Sequence, residues 1–156
     1  MPTKEDQKYM SLALKQAQKA FQEDEVPIGA VIVQDGRVIA KAYNKRNISK
    51  MATHHAEILA IEKACKKIGD WRLEGSTIYV TLQPCPMCAG AIANARIKNL
   101  VYGASEKTAT NKNICADILC DNWLNHKTQI KSGVMEEECA KLLSDFFKRK
   151  RIGSTQ

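Results

Sequence analysis

The strongest constraint on the fold of this chain is a set of metal-ligating side chains that lie far apart in the sequence. His55-Ala56-Glu57 opens one amphipathic stretch, and Pro84-Cys85-Pro86-Met87-Cys88 follows a later run of apolar residues. One imidazole and two thiolates suit a Zn²⁺ ion whose fourth position is left for water. Each motif stands where a helix is predicted to begin. The fold must therefore bring two helix N-termini together, so that both can reach one ion.

The spacing within each motif indicates a catalytic site. Cys85 and Cys88 are separated by three positions, which places them on one face of a helix where they can share a metal. The helix dipole lowers the pKa of thiols at this end and so favours the ligating thiolate. Glu57 is the wrong ligand type for a closed structural zinc site, but it can move protons beside a metal-activated water.

A Cys-x-x-Cys pair has two other common uses, in redox sites and in closed zinc knuckles. A redox pair does not need the His55-x-Glu57 motif, and a closed zinc knuckle usually has a second cysteine pair or further histidines at ligand spacing. The remaining cysteines are too scattered for that. The four residues His55, Glu57, Cys85 and Cys88 therefore predict a zinc-dependent hydrolase, and the residue set favours deamination of a nucleobase.

The pattern of apolar residues predicts a mixed α/β chain. Asp35-Gly36 between two apolar runs predicts a tight hairpin, Gly69 a helix C-cap, and Asn44 to His54 an irregular polar loop. Helices are predicted over 5–22, 55–68, 84–95, 114–123 and 136–151, the fourth of them short and weakly supported. Strands are predicted over 30–33, 38–43, 77–82, 100–103 and 128–130, the last of them weak. This order implies a mixed sheet covered by helices.

Size and composition favour one soluble domain over residues 1–156. The chain has no apolar stretch long enough to span a membrane and no apolar secretory signal, so we expect a cytoplasmic protein without membrane contact. The net charge is +7. A lysine-rich surface would account for this, but the compact cluster Lys148-Arg149-Lys150-Arg151 after Phe146-Phe147 favours a polyanionic partner such as nucleic acid.

The six cysteines and three histidines are not all expected to be functional. In a cytoplasmic chain we expect reduced thiols, with Cys65 and Cys139 acting as small buried hydrophobic residues. Only His55 has a glutamate at the required offset, so His54 is expected in the loop or at the substrate rim. His126 is expected at the surface or in a turn.

On these motifs the chain resembles the cytidine deaminase superfamily and, more closely, the bacterial tRNA adenosine deaminases. The resemblance extends over nearly the whole chain. Segments that carry it besides the zinc motifs include 26–31, 71–73, 79–82, 95–97, 102–104, 124–126 and 143–147. It implies a three-layer α/β/α fold with a five-stranded mixed sheet, and deamination of adenosine to inosine at the wobble position of a tRNA anticodon loop. It also implies a homodimer with one Zn²⁺ per subunit.

The resemblance further implies roles for individual residues. His55, Cys85 and Cys88 would bind zinc, Glu57 would be the catalytic acid and base, and Asn44 would hydrogen-bond the purine. The backbone amides of Ala56 and Cys85 would lie near the reacting water or base. The remaining substrate-binding positions would be Pro84, Glu106, Phe147, Lys148, Arg149 and Arg151, the basic ones meeting anticodon phosphates.

The chain departs from that family at the rim of the site. Gln83 stands where the family usually has Glu, His54 replaces an Ala, and residues 105–115 lack the usual glycines. With Pro86-Met87, which also occurs in guanine deaminases, these changes leave open a deaminase of a free nucleobase or nucleoside, such as guanine or another aminopurine- or triazine-like substrate. A non-catalytic, zinc-stabilised RNA-binding module is a third alternative, although RNA binding would not need Glu57.

Overall fold

A computed structural model of the chain describes residues 2–107, 113–121 and 124–154. Its helices are α1 (Lys4–Gln22), α2 (Arg46–Ser49), α3 (Ala56–Ile68), α4 (Pro86–Asn94), α5 (Ile114–Cys120) and α6 (Glu136–Ser154). Its strands are β1 (Gly29–Gln34), β2 (Arg37–Tyr43), β3 (Thr77–Leu82), β4 (Asn99–Ala104) and β5 (Gln129–Lys131). Each predicted element is confirmed, with ends that shift by a few residues. The predictions for residues 108–112 and 122–123 lie outside the described residues.

The strands form one mixed sheet in the order β2-β1-β3-β4-β5. β1 is antiparallel to both β2 and β3, while β3, β4 and β5 run parallel. The predicted hairpin joins β1 to β2, and Asp35 and Gly36 both have positive φ, 52° and 73°. Positive φ at both central residues is the backbone conformation of a type I′ turn, which matches the twist of the two strands.

Side chains that alternate along the strands build a core on each face of the sheet. On one face Ile32, Ile78 and Leu100 pack with α3, α4 and α5. On the other face Val31 and Tyr79 pack with α1 and α6. The predicted three-layer α/β/α arrangement is therefore confirmed, because a sheet with two apolar faces must be covered by helices on both.

Capping residues set the ends of the helices. At the start of α1, the Thr3 hydroxyl accepts the Asp6 backbone N–H and the Asp6 carboxylate accepts the Thr3 backbone N–H, which makes a capping box. α3 ends at Gly69, which has φ 73° and donates its N–H to the Cys65 carbonyl. The predicted C-cap is therefore confirmed, and glycine suits it because the left-handed backbone has no Cβ penalty there.

One prediction was wrong in its detail, because the 44–54 segment contains the short helix α2. The Glu25 carboxylate is fully buried and accepts the backbone N–H groups of Asn47 (3.1 Å) and Ile48 (2.7 Å). These are among the amides that have no partner within a helix of this length. A carboxylate more than twenty residues away in sequence thus holds the turn, and local propensity could not reveal it.

The described cysteines are free thiols, as expected. Cys139 is buried as predicted, whereas Cys65 is only half-buried and donates to the Trp71 carbonyl. No helix in the described ranges combines the length and apolar character that crossing a lipid bilayer requires.

Candidate active site

The candidate site lies at one edge of the sheet, where several strands begin or end. β3 and β4 are parallel and both end there, so Gln83-Pro84-Cys85 and Ser105-Glu106 come together. β1 begins at the same edge and β2 ends there, because Gly29 pairs with Tyr43. Ligands of open α/β sheets commonly bind at the carboxyl ends of the strands.

Two helices begin at this edge and present the ligand residues. His55 is the N-cap of α3 and Cys85 is the N-cap of α4, both with extended backbone. Pro86 occupies the first turn of α4, where its missing N–H costs nothing. Both positive helix ends therefore face the same small volume, which favours thiolates and other anions there.

The structure brings the three predicted ligands into one cluster. His55 Nδ1 lies 3.7 Å from Cys85 Sγ and 3.5 Å from Cys88 Sγ. The three potential ligand atoms all lie within 4.8 Å of one another. In a tetrahedral site with ordinary Zn–N and Zn–S bonds, nitrogen and sulfur ligands are roughly 3.6 Å apart. The donor atoms therefore have both the chemistry and the spacing of a zinc site with three protein ligands.

The three side chains of this cluster shift one another's pKa values. The hydrogen bond from Cys88, with a further one from His55, lowers the pKa of Cys85 to about 4. The same contact with Cys85, together with burial, raises the pKa of Cys88 above that of an ordinary thiol. The hydrogen bond with Cys85 raises the pKa of His55, although burial opposes it. A thiolate beside an imidazole nitrogen is an arrangement that can bind a metal cation.

Glu57 lies beside the ligands but is not one of the three. Its side chain is buried, and its Oε1 has no hydrogen-bond partner among the described residues. Burial raises the pKa of Glu57 to about 7, although nearby groups such as His55 oppose the shift. A buried carboxylate with an unused oxygen is costly for stability, which is a common feature of groups retained for chemistry.

A cavity of about 670 Å³ opens directly onto His55 and Glu57. Its volume is typical of sites for small organic ligands. Val26, Leu82 and Phe147 contribute apolar walls, and Gln83 and Glu106 contribute polar groups. A flat, mostly apolar ligand with a few polar edges, such as a nucleobase, fits this lining.

The substrate-binding residues suggested by the sequence are distributed unevenly around this cavity. Pro84, Glu106 and Phe147 line it. Ala56 is buried in the first turn of α3, between His55 and Glu57 in the sequence. Asn44 is buried next to the cavity wall, where it donates to the Val26 carbonyl at 3.3 Å and accepts the Arg46 N–H at 3.3 Å. Asn44 itself does not line the cavity, although its amide keeps a second donor hydrogen and a second lone pair.

Two cations of the basic cluster of α6 are paired with an acidic residue although they remain exposed. Arg149 Nη2 lies 3.2 Å from Asp24 Oδ1, and the Lys150 ammonium contacts the other oxygen of the same carboxylate. Lys148 and Arg151 are exposed. Arg149 and Lys150 thus share an acidic partner just beyond the end of α1, which the sequence did not suggest.

Gln83 has a role that the sequence did not suggest, whereas His126 and His54 lie in the turn and the loop expected for them. Gln83 accepts the Glu106 backbone N–H at 3.0 Å and so holds the segment after β4 against the one after β3. His126 is half-buried, with Nε2 2.8 Å from the Ile97 carbonyl, and thus serves structure within its turn. His54 does not line the cavity, so it belongs to the loop, and its Nδ1 is buried without a described partner. Of these three residues, only Gln83 had a position in the sequence that pointed to the site, because it directly precedes Pro84-Cys85.

Comparisons with known proteins agree with this geometry. Residues 4–151 match the model of a family described as MafB19-like deaminase. The tRNA-specific adenosine deaminase of Bacillus subtilis is 46% identical over 147 residues, which cover 94% of this chain and 91% of that protein.

Two solved structures are also similar. One belongs to a study of A-to-I editing by tRNA:A34 deaminases at the wobble position of transfer RNA; it has a TM-score of 0.81 and 43% identity, over 87% of this chain and 99% of that one. The other is a guanine deaminase from Bacillus subtilis, with a TM-score of 0.60 and 40% identity over 63% of each chain.

Proposed function

Because this chain belongs to the family of tRNA-specific adenosine deaminases, we propose that it converts adenosine to inosine at the wobble position of a tRNA anticodon. In this hydrolysis the oxygen of water bonds to C6 of the adenine ring, the bond from C6 to the amino nitrogen breaks, and ammonia leaves. The observation that carries the proposal is the buried, unpartnered Glu57 oxygen beside the His55, Cys85 and Cys88 cluster at the wall of the cavity.

We propose one Zn²⁺ ion per chain, held by His55, Cys85 and Cys88. When bound in such a site, zinc supplies a hydroxide nucleophile at neutral pH by lowering the pKa of a coordinated water. The three side chains would hold the ion in position. The two helix N-termini that carry them favour the thiolate forms of the cysteines.

Glu57 is the group that moves protons. Its unpaired oxygen can take a proton from the attacking water and then deliver it to the departing amino group. The second proton of the attacking water ends on ring nitrogen N1, which balances the conversion of adenine to hypoxanthine. An acid and a base are thereby combined in one carboxylate, as zinc deaminases require.

The cavity selects and holds the base. The apolar walls of Val26, Leu82 and Phe147 accept the ring faces, because a base taken out of its stack must regain apolar contact. Pro84 and Glu106, which line the cavity, would contact its polar edges, as would Asn44 and the Ala56 amide if the base reaches them. Lys148, Arg149 and Arg151 on α6 would meet phosphates of the anticodon loop, and such contacts weaken with salt.

The wider setting of the enzyme belongs to the same proposal. We place the whole chain in one catalytic domain that works in the cytoplasm as a homodimer. The curated relative from Bacillus subtilis acts on tRNA, by its name, and the net charge of +7 of this chain favours a polyanionic partner.

A substrate panel tests the proposal. Purified protein should release ammonia and form inosine from a tRNA that carries adenosine at the wobble position. Glu57→Gln should lower this rate at least about a hundredfold while elemental analysis still finds zinc bound. Glu62→Gln, an exposed change on the same helix, is the matched control and should leave the rate unchanged.

A free nucleobase deaminase is the second candidate, favoured by the similarity to a guanine deaminase. If guanine or another free aminopurine is consumed while the tRNA is inert, the tRNA proposal is wrong and this candidate replaces it. If no substrate is deaminated but tRNA binds tightly, the chain is instead a zinc-stabilised RNA-binding module.

A further inference from the structure

The carboxylate of Asp24 is held by two cations from the other end of the chain. Asp24 directly follows the C-cap of α1, whereas Arg149 and Lys150 lie in the last turns of α6. Arg149 Nη2 is 3.2 Å from one Asp24 oxygen and the Lys150 ammonium contacts the other. Two neighbouring cations around one pair of oxygens form the arrangement that also binds a phosphate group.

Arg149 has further contacts that do not depend on Asp24. The same Nη2 donates to the Phe21 carbonyl at 3.2 Å. The guanidinium also lies 4.2 Å from the centre of the Phe21 ring and 5.6 Å from that of Phe146. The arginine is therefore pre-positioned by a carbonyl and two aromatic rings, and it would stay in place if the carboxylate moved away.

Asp24 itself is easily displaced. Its side chain is 62% exposed, and solvent screens ion pairs at such exposure, so they add little to stability. The carboxylate also sits on a residue with positive φ, 63°, which a non-glycine residue adopts at some cost. An anion with more charge and more oxygens can therefore compete with it.

The ion pairs of Asp24 with Arg149 and Lys150 lie near the rim of the active-site cavity. The ring of Phe146 contacts that of Phe147, with 5.5 Å between centroids, and Phe147 lines the cavity. On the other side, Val26 lines the cavity and is only two residues from Asp24. A nucleic acid whose base enters the cavity can therefore bring a backbone phosphate close to these two cations.

We propose that Asp24 occupies a phosphate site formed by Arg149 and Lys150, and that RNA must displace this carboxylate to bind. This inference rests on the proposed function, because it assigns an RNA phosphate as the competing anion. Asp24 then acts as an internal anion that limits affinity for RNA. The cations of α6 bind RNA less tightly than their number suggests, which favours substrates that also fill the cavity.

The test is Asp24→Asn, which removes the charge and retains a residue that tolerates positive φ. Binding of an anticodon stem-loop RNA is measured by fluorescence anisotropy between about 50 and 200 mM salt. The variant should bind more tightly at low salt and lose affinity more steeply. Two additional phosphate contacts on a single strand steepen the slope by about 1.4, which is about a sevenfold larger loss of affinity over this range.

Asp70→Asn is the matched control. Asp70 is also exposed and also paired with one arginine, Arg72, but it lies beyond the end of α3 opposite to His55. Asp70→Asn removes the same charge as Asp24→Asn, so it should show only the small effect that net charge has on RNA binding in general. In a variant that already carries Arg149→Gln and Lys150→Gln, adding Asp24→Asn should not strengthen RNA binding, because the proposed phosphate site is gone.

Two results would overturn the inference. One is an Asp24→Asn salt dependence that equals that of Asp70→Asn. The other is weaker RNA binding at every salt concentration with a lower melting temperature, which would make the ion pair a structural clamp for α6. Since binding requires no turnover, a protein that deaminates tRNA but fails this test loses only the inference. A protein that passes it without deaminating any tRNA loses only the proposed function.

Discussion

Gly29 determines how closely α1 approaches the central sheet. A Cβ atom at this position would lie 2.0 Å from the Ala13 carbonyl oxygen and 2.6 Å from the Ala17 backbone nitrogen. Both contacts are to the helix backbone, which cannot move aside as a side-chain tip can. The glycine is required here by space, since the first residue of β1 lies directly against the helix.

We expect Gly29→Ala to lower the free energy of unfolding by at least about 1–3 kcal/mol, because overpacking forces α1 away from the sheet. Urea denaturation followed by circular dichroism measures this. Gly90→Ala in α4 is the control: no heavy atom lies within 4 Å of its added Cβ, and alanine favours a helix by up to about 1 kcal/mol. Equal midpoints for the two variants would contradict this interpretation.

At the scale of elements, the start of α1 is tied to the far edge of the sheet. The Asp6 carboxylate caps its own helix, accepts the Lys131 ammonium at 2.7 Å and accepts the Tyr79 hydroxyl at 3.2 Å. Burial by itself would raise the pKa of Asp6, but the hydrogen bonds from Lys131 and Thr3 outweigh it and hold the pKa below its ordinary value of 3.8. One carboxylate thus connects α1, β3 and β5.

This shift makes a pH-dependent contribution to stability. A folded-state pKa below the unfolded value stabilises the fold fully above the unfolded pKa, near 4, and the contribution is lost as the pH falls through the folded value. We expect Asp6→Asn to lower the free energy of unfolding by about 1–3 kcal/mol at neutral pH. Urea midpoints compared with wild type should approach each other as the pH falls below about 4 and through the lowered pKa of folded Asp6. A difference that persists there would contradict the linkage, and Asp117→Asn, an exposed carboxylate on α5, serves as control.

For the molecule as a whole, the metal site joins two helices that the chain connects only through β3. His55 begins α3, while Cys85 and Cys88 belong to α4, and both helices cover the same face of the sheet. A bound ion therefore links separate parts of the core. Any ligand that binds only the folded state stabilises it by mass action.

Removal of the metal should accordingly lower the melting temperature of the whole domain. If free zinc stands a thousandfold above its dissociation constant, its loss amounts to about 4 kcal/mol. Thermal unfolding with and without a chelator measures the effect, and added zinc should reverse it. Cys88→Ser should be insensitive to the chelator, whereas exposed Cys120→Ser should respond like wild type. An unchanged melting temperature after verified metal loss would show that the site is not coupled to folding.

The parts of the molecule that the sequence determined depend on near neighbours in the chain. Asp35-Gly36 predicted its turn and Gly69 its cap, because positive φ is a property of one or two residues. His55-x-Glu57 and Cys85-x-x-Cys88 predicted the metal cluster, because ligand type and helical spacing are local. The order of helices and strands predicted a mixed sheet covered by helices, and the family resemblance implied helices on both of its faces.

Only the tertiary structure decided the contacts between residues far apart in sequence. Glu25 builds α2, Gln83 holds the Glu106 segment, and Asp24 takes up Arg149, yet none of these pairs has a spacing that a sequence pattern records. The metal cluster was predictable because an ion demands a particular set of ligands. The surrounding rim was not, because a carboxylate or an amide accepts any donor that the fold brings within reach, and only the packed chain determines which donor that is.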